Sequence, residues 1–484
     1  MRRERPWQVA SAAALCFGLA HACSFSGDLD GLSGPGAAGT AGAAGAGAGA
    51  GAGGAAGAGG GAPSGGGGSG GTAAGAGGGL AFSDRGLEGG FGAGTFDGSA
   101  WDGDHVALGA GRGAGRFVSR VFDAGGPAAW SSIAWEPGAP YRKPLPGSGG
   151  EDAPYRQGRA SMAANVLLLH FDETSGGATK LAPVDASGEG HEVVVAGAGA
   201  AAPGPFGLSL DDELGGYVFA RIDAASGLNF GTSDFTWALW VKTTQPCPSE
   251  SAPSGNRVHL GAEDEGFPRT HLWLGCTSSA GCPGADGTGR AGGTFCTSSE
   301  GDACVNYCGR TVINDGAWHH VAVVKRGHFP GALRLFVDGA PDLGAGDRVF
   351  TFSAPLDFEP GVEFAVGGFS RGTFPAAGAF DEVAVFRRAL GDDELGALYR
   401  RGALGLGLRV RVCARPDCSD AEFVGPAGPA SAYVDAAEGR APTSPTELRG
   451  LPPGRYFQYE ASLESTAPGA SPELYAVEIV ASPL

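Results

Sequence analysis

Between Asp234 and Gly402 apolar and polar positions recur at the periods of regular structure, and this stretch predicts the main elements. In Phe235 to Lys242 one face reads Phe235, Trp237, Leu239, Val241 and the other Thr236, Ala238, Trp240, Lys242, a period of two rich in aromatic and β-branched residues that marks a strand. Leu333, Leu335 and Val337 alternate with Arg334, Phe336 and Asp338 ahead of Asp338-Gly339, a pair that tolerates the positive φ of a tight hairpin turn. Leu390, Leu395, Leu398 and Tyr399 fall at helical spacing. Asp392, Asp393 and Glu394 stand near the start of that helix, where its dipole favours negative charge, with Arg400 and Arg401 at its end. Gly402 is the predicted stop.

The flanks of this stretch carry strands as well. Arg116 to Gly147 reads as two strands and a turn anchored by Phe117, Val121, Phe122, Trp130, Ile133 and Trp135. Leu408 to Pro426 and Leu451 to Val480 supply about four more strands. Neither flank alone buries its aromatics well, because two to four strands are marginal below about 40 to 80 residues. One β-domain split by an insertion satisfies both flanks, since insertion succeeds at an exposed loop where chain ends lie close together. Two independent small domains are the alternative.

The phrases FTWALWVKT (Phe235 to Thr243), DGAWHHVAVVKR (Asp315 to Arg326), LRLFVDG (Leu333 to Gly339) and FDEVAVFRRALGDDELGALYRRG (Phe380 to Gly402), in this order, resemble the laminin G-like, concanavalin A-like jelly roll. The resemblance implies a two-sheet β-sandwich that binds glycans or proteins. SRVFDAG with Trp130 and Trp135, and RYFQYEASLES with SPELYAVEI, resemble the two halves of one bacterial β-sandwich module. The expected fold class is all-β: a concanavalin A-like jelly roll inserted into a smaller β-sandwich, preceded by a disordered Gly/Ala linker. The expected divisions are 1–22 signal peptide, 23–79 tether, 80–160 first part of the split domain, 161–403 jelly roll and 404–484 second part.

The N-terminus sets the address. Arg2, Arg3 and Arg5 precede an apolar run from Val9 to Ala20, the layout of a secretory signal peptide and too short to span about 30 Å of hydrocarbon. Ala20 and Ala22 fit ordinary cleavage. Cys23 directly after the site, trailed by a flexible tract, resembles a bacterial lipoprotein, which implies a lipid on Cys23 and, with Ser24 following, the outer membrane or cell surface; secreted or periplasmic protein is the alternative. From Gly34 to Gly79 the chain is almost only Gly and Ala, which reads as a disordered tether with a span of roughly 40 Å.

Composition narrows the partners. Of 484 residues 91 are Gly, and the net charge is -18, so nucleic acid and anionic membrane surfaces are excluded as partners by repulsion. The Gly repeats and GAGRGAG around Arg112 lack the Gly-Lys-Ser/Thr ending of a phosphate loop. Of ten cysteines, Cys16 and Cys23 belong to the leader. The others point to disulfides in an oxidising compartment: Cys413 with Cys418 as a small staple, and Cys247, Cys276, Cys282, Cys296, Cys304 and Cys308, with their pairing open, in an irregular Gly-rich region. A zinc site at Cys304 and Cys308 lacks a matched second pair.

Glycanases of this shape need two carboxylates about 5 to 9 Å apart, on a strand patterned Glu-x-Asp-x-(x)-Glu in the family. No strand carries that pattern; Glu263, Asp264 and Glu265 are consecutive in a Gly-flanked loop, expected to be solvated. His319 and His320 have no Ser or Cys partner and read as structural. The resemblance implies a structural calcium, with Asp172 in LLLHFDE and Asp381 in FDEVAVF at the places of its ligands. Trp240, on the strand face away from Trp237, and Trp273, beside Cys276, are the candidate ligand-binding aromatics, and the rim from Cys247 to Cys308 the candidate specificity loop. The expected function is a non-catalytic, envelope-tethered or secreted binding module for a glycan or an envelope or extracellular protein. A structural or adhesive envelope protein is the alternative, and a glycan-active hydrolase stands third.

Overall fold

The computed structural model describes residues 79–484 apart from 87–88, 176–179, 198–199, 213–215, 223–226, 248–256, 265–269, 278–288, 298–302, 344–347, 352–354, 370–372 and 436–442. Cys23, the leader and the Gly/Ala tract to 78 therefore lie outside the described residues, as do Glu265 and Cys282. The described strands form three sheets, of ten, nine and seven strands.

The ten-stranded sheet is built from both ends of the chain. Its order runs Thr95–Asp97, Ala114–Val118, Gly454–Ser465, Phe122–Pro137, Leu474–Pro483, Val106–Leu108, Ser99–Trp101, so the C-terminal strands are threaded between N-terminal ones. Leu80–Arg85 adds to Leu474–Pro483 and Leu404–Cys413 adds to Gly454–Ser465. Phe117, Phe122, Trp130, Ile133 and Trp135 of the first flank share one core with Leu408, Val410, Phe457, Tyr459, Leu463, Val477 and Ile479 of the second. Asp84, fully buried, accepts from Arg120 at 3.0 Å and from the Tyr459 hydroxyl at 2.9 Å, tying the flanks a second time. Arg120 belongs to the same flank as Asp84, and the Tyr459 hydroxyl is the contact that crosses to the second. Cys413 and Cys418 form the expected disulfide.

The other two sheets face each other as the jelly roll. The front sheet runs Ala340–Pro341, Gly331–Val337, Trp318–Arg326, Phe235–Lys242, Gly378–Phe386, Leu208–Asp212, Ala200–Pro203. The back sheet runs Ala303–Val312, Arg290–Thr297, His271–Thr277, Arg257–Glu263, Glu363–Val366, Tyr217–Arg221, Val193–Ala196. Phe235, Trp237, Leu239 and Val241 fill the space between them against Leu272, Leu274, Phe295 and Tyr307, as the period-two pattern predicts. Asp338 and Gly339 have φ of 52° and 74°, the left-handed pair required by the hairpin after Val337.

The cysteine-rich region departs from expectation. Where it is described it is mostly regular sheet: Cys276, Cys296, Cys304 and Cys308 sit on back-sheet strands, with disulfides Cys247–Cys276 and Cys296–Cys304. Cys308 is disulfide-bonded as well. The glycines there make close packing possible. A Cβ on Gly293 would stand 2.5 Å from the Tyr307 hydroxyl, which uses that space to donate to the Trp273 carbonyl at 2.7 Å.

The outer face of the front sheet is covered. Ala238, Ala322, Val324, Phe336, Ala384 and Phe386 pack under Leu390, under Leu395 and Leu398 of helix α1 (Asp392–Ala403), and under Leu145 and Met162 of the connector, the segment between Pro137 and Asn165. Glu394 closes the helix start by accepting the Gly391 N–H at 2.8 Å. At the far end Arg401, 2% exposed, is held by both oxygens of Asp152 at 2.7 and 3.0 Å and by the carbonyls of Lys143 and Pro144. Gly402 is not the stop but the last residue but one of α1, which ends at Ala403. A Cβ there would meet the Trp240 ring at 2.4 Å, so glycine is required for the helix to lie against the sheet.

Candidate functional site

That seam decides which aromatics a ligand can reach. Trp240 is 3% exposed, stacked on Tyr399 at 5.8 Å and edge-on to Phe206 at 6.1 Å, and it belongs to the core of the split domain. Trp273 is equally buried, packed with Val258 and Phe369 on the outer side of the back sheet. Both are corrected from ligand-binding candidates to packing residues. The alternation that separated Trp240 from the jelly-roll core is right, but the face it points to is occupied by a second domain and a helix.

The same face continues past the covered zone. Lys242 stands opposite Trp318 on one neighbouring strand and opposite Ala379 on the other, and Ala379 stands opposite Asp211. Their strand neighbours Val241, Phe380 and Leu210 point into the sandwich core, so Trp318, Lys242, Ala379 and Asp211 form one row on the outer face across four adjacent strands. Trp318 and Asp211 are half-buried and Lys242 is exposed. Neither Lys242 nor Asp211 has a side-chain hydrogen bond or ion pair among the described residues. The row floors an open cleft of about 790 Å³.

The rim of the cleft is hydrogen-bonded in place. Thr243 Oγ1 donates to the Ala377 carbonyl at 2.6 Å and accepts the Gln245 N–H at 3.0 Å, while Gln245 Oε1 accepts the Ala377 N–H at 2.8 Å. Asn314 Nδ2 donates to the Gln245 carbonyl at 3.1 Å, and the Cys247–Cys276 disulfide follows directly. A rim already ordered loses little conformational freedom on binding. Trp318 was passed over in the sequence because it sits at a strand end beside two histidines. Its signal is the register that places it across from Lys242.

Asp172 and Asp381 do converge. Asp381 is fully buried; its Oδ2 accepts the Phe206 N–H at 3.2 Å and its Oδ1 has no hydrogen-bond partner among the described residues. Asp172 Oδ1 accepts the Leu208 N–H at 2.7 Å. The two grip one loop, whose glycines are there for clearance: a Cβ on Gly204 would lie 2.4 Å from Asp381 and one on Gly207 2.3 Å from Asp172. Burial, then the neighbouring charges of Glu382 and Asp172, push the Asp381 carboxyl well above the usual range, and Asp172 is raised by burial with Glu382 adding. Glu382 itself accepts the Leu145 N–H and bonds His170 Nδ1 at 2.8 Å.

The other titratable candidates are structural. Asp264 is buried, against the expectation of a solvated loop, because it accepts the backbone N–H groups of Glu359 and Thr270 at 3.0 and 3.4 Å. His319 bridges Asp338 at 2.9 Å and Asp315 at 3.2 Å; burial opposes its protonation, but the two carboxylates outweigh it and raise its pKa. His271, Cys296 and Cys304 bring donor atoms within 4.8 Å of one another, with the two sulfurs already joined as a disulfide.

Residues 215–396 match the family model described as the concanavalin A-like lectin/glucanases superfamily. The jelly roll is a concanavalin A-like domain. Among solved structures, the binding domain of Paraclostridial Mosquitocidal Protein 1 is 10% identical over 59% of this chain and 71% of that one, with a TM-score of 0.36. Domain 4 of AbnA, a GH43 extracellular arabinanase from Geobacillus stearothermophilus in complex with arabinotriose, is 17% identical over 49% of this chain and 98% of that one, with a TM-score of 0.33. The receptor binding domain of botulinum neurotoxin D is 9% identical over 49% and 52%, with a TM-score of 0.34. No curated protein sequence matches the chain.

Inside the concanavalin A-like domain, His320 gives a pH signature. It is fully buried between Trp240 and the Asp338 turn, and burial lowers its pKa to about 4. The unfolded chain protonates this residue near pH 6.5 while the folded one stays neutral, so its stability contribution is intact above 6.5 and is lost as pH falls toward 4. The expected loss is about 3 kcal/mol over that interval. Urea melts between pH 7 and 4.5 should show a shallower fall for His320→Phe than for the native chain; identical slopes would contradict the assignment.

Proposed function

We propose that this chain is an exported, non-catalytic binding module that takes a glycan or protein ligand in the cleft over Trp318 and Lys242. The observation that carries this reading is the open end of the front sheet: a partly buried indole, packed on one side against the split-domain core, beside an ammonium with no partner among the described residues, on a face otherwise covered by α1 and the split domain. A stacking surface with a few convergent polar groups in a cleft of several hundred Å³ is the usual form of a small-ligand site. Asp211 is the one carboxylate among the cleft-lining residues, whereas glycoside hydrolysis uses two. An envelope address, through a lipid on Cys23 or by secretion, belongs to the same proposal, with the Gly/Ala tract as spacer.

The test is a screen of glycans and envelope proteins with the exported chain, followed by two tryptophan variants. Trp318→Ala should weaken the ligand found by about tenfold or more, the loss of one stacking contact, with the melting temperature little changed. Trp240→Ala should cost about 3 to 5 kcal/mol of stability. Self-association with no saturable ligand would favour the structural or adhesive reading.

We also propose that Asp172 and Asp381 bind calcium. The Oδ1 of buried Asp381, without a partner among the described residues, and the two carboxylates that grip one loop at Phe206 and Leu208 support this, because a divalent ion would supply the charge that burial withholds. Backbone carbonyls and water would complete its shell of six to eight oxygens. Millimolar calcium should raise the melting temperature of the native chain relative to chelator and leave that of Asp381→Ala unchanged; no difference in the native chain would refute it.

A further inference from the structure

We infer that Lys143 and Asp435 join in an amide between Nζ and Cγ, an intramolecular cross-link that closes the chain around the inserted domain. Both side chains are buried, at 3% and 8% exposure, with Nζ 3.6 Å from Asp435 Oδ1. Beside both stands Tyr155, buried as well. Its hydroxyl accepts from Lys143 Nζ at 2.8 Å and donates to Asp435 Oδ2. Asp435 Oδ1 accepts no hydrogen bond among the described residues. An amine, a carboxyl and a hydroxyl that touches both are thus held together out of solvent.

The surroundings favour the neutral forms that an amide needs. Arg401 and Asp152 satisfy each other through hydrogen bonds of 2.7 and 3.0 Å, which leaves Lys143 and Asp435 as the other charged pair of the cluster. A buried ion pair carries a large desolvation cost, and one proton passed along the Tyr155 hydroxyl removes both charges. Burial holds the Lys143 ammonium below its usual range, against the pull of the Asp435 and Asp152 carboxylates. Burial, with the hydrogen bond to Asp435, raises the Tyr155 phenol, so the relay hydroxyl keeps its proton at rest.

The backbone fixes these groups. The Lys143 carbonyl accepts from Arg401, and the Arg142 N–H donates to the Arg401 carbonyl at 2.7 Å. Asp435 follows Tyr433, which exchanges backbone hydrogen bonds of 2.7 and 2.9 Å with Leu408. Reactants already oriented avoid the entropy loss of an encounter. Of the four lysines, Lys180 and Lys242 are exposed, and Lys325 donates to the carbonyls of Thr232 and Ser233 at 3.2 and 2.8 Å rather than to a carboxyl.

The step balances without a co-reactant. The ammonium gives one proton to the Tyr155 oxygen as that hydroxyl gives its own to Asp435 Oδ2, leaving a neutral amine and a carboxylic acid. The Nζ lone pair bonds to Cγ, and an electron pair moves onto Oδ1. A second proton travels from nitrogen through Tyr155 to Oδ2, which departs as water, and Oδ1 returns its pair to form the amide carbonyl. One N–C bond forms, one C–O bond breaks, and nothing is oxidised or reduced. Lys143 lies ahead of the jelly roll and Asp435 beyond Leu404–Cys413, so the bond encloses the whole inserted domain in one covalent loop. A cross-link over so long a loop restricts the unfolded chain.

The experiment is mass spectrometry of the exported chain after reduction and denaturation. Allowing for the substitution, the native chain should weigh about 18 Da less than Lys143→Arg, the mass of one water. Its digest should hold one peptide pair joined through Lys143 and Asp435, absent from Asp435→Ala. On a denaturing gel the closed loop should run ahead of Lys143→Arg. Tyr155→Phe should slow the appearance of the linked pair in newly made chains by about a hundredfold; linking at the native rate would overturn the relay. Separate, unmodified Lys143 and Asp435 peptides from the native chain would overturn the inference, and this map needs no variant to fold. A loss of water confined to the Asp435 peptide, the mark of a cyclised aspartate, would overturn it as well.

Discussion

The closure of helix α1 over the front sheet is the contact on which the rest of the molecule depends. Gly402 lets the helix come down onto Trp240, Tyr399 stacks on the same indole, and Arg401 plugs into Asp152 and the connector carbonyls. Through these residues the jelly roll, the connector and the split domain share one buried seam. A large aromatic with both faces packed contributes on the order of several kcal/mol, while an Arg–Asp pair this buried is costly to break from one side only. The seam also sets function, because it removes most of one sheet face from solvent and leaves its Trp318 end open.

Insertion then has a structural reason. The inserted domain leaves the split domain after the connector and returns through α1 directly into Leu404–Cys413. The helix is thus both the exit from the jelly roll and the lid on its outer face. The split domain is held by strands from both chain ends lying side by side and by the Asp84 network, so the insertion is carried by a framework with its own core.

Much of this was legible in the chain. The strand at Phe235 to Lys242, the Asp338-Gly339 turn, the short acidic-to-basic helix and the Cys413–Cys418 staple all follow from local pattern, where neighbours in sequence are neighbours in space. The joining of the flanks was legible from need, since each had aromatics and too few strands to bury them. The site was less legible. Period-two alternation says that Trp240 and Lys242 share a face but not what covers that face, and Asp211, Lys242, Trp318 and Ala379 meet only through the register of strands far apart in the chain. Gly402 misled for a related reason: a glycine at a helix end reads as a stop, and here it is a close-approach position set by a side chain more than a hundred residues earlier. The cysteine-rich stretch looked irregular because its glycines suppress strand propensity, whereas in the sheet they make room for Tyr307.

The central claim is that the seam hides Trp240 and spares Trp318. Limited oxidation of the native protein with N-bromosuccinimide, mapped by peptide mass spectrometry, measures this directly because the reagent attacks indoles that solvent reaches. Trp318 should be oxidised well ahead of Trp240, with Trp237 and Trp273 protected alongside Trp240 until denaturant is added. Oxidation of Trp240 at the rate of Trp318 in the folded protein would contradict the account.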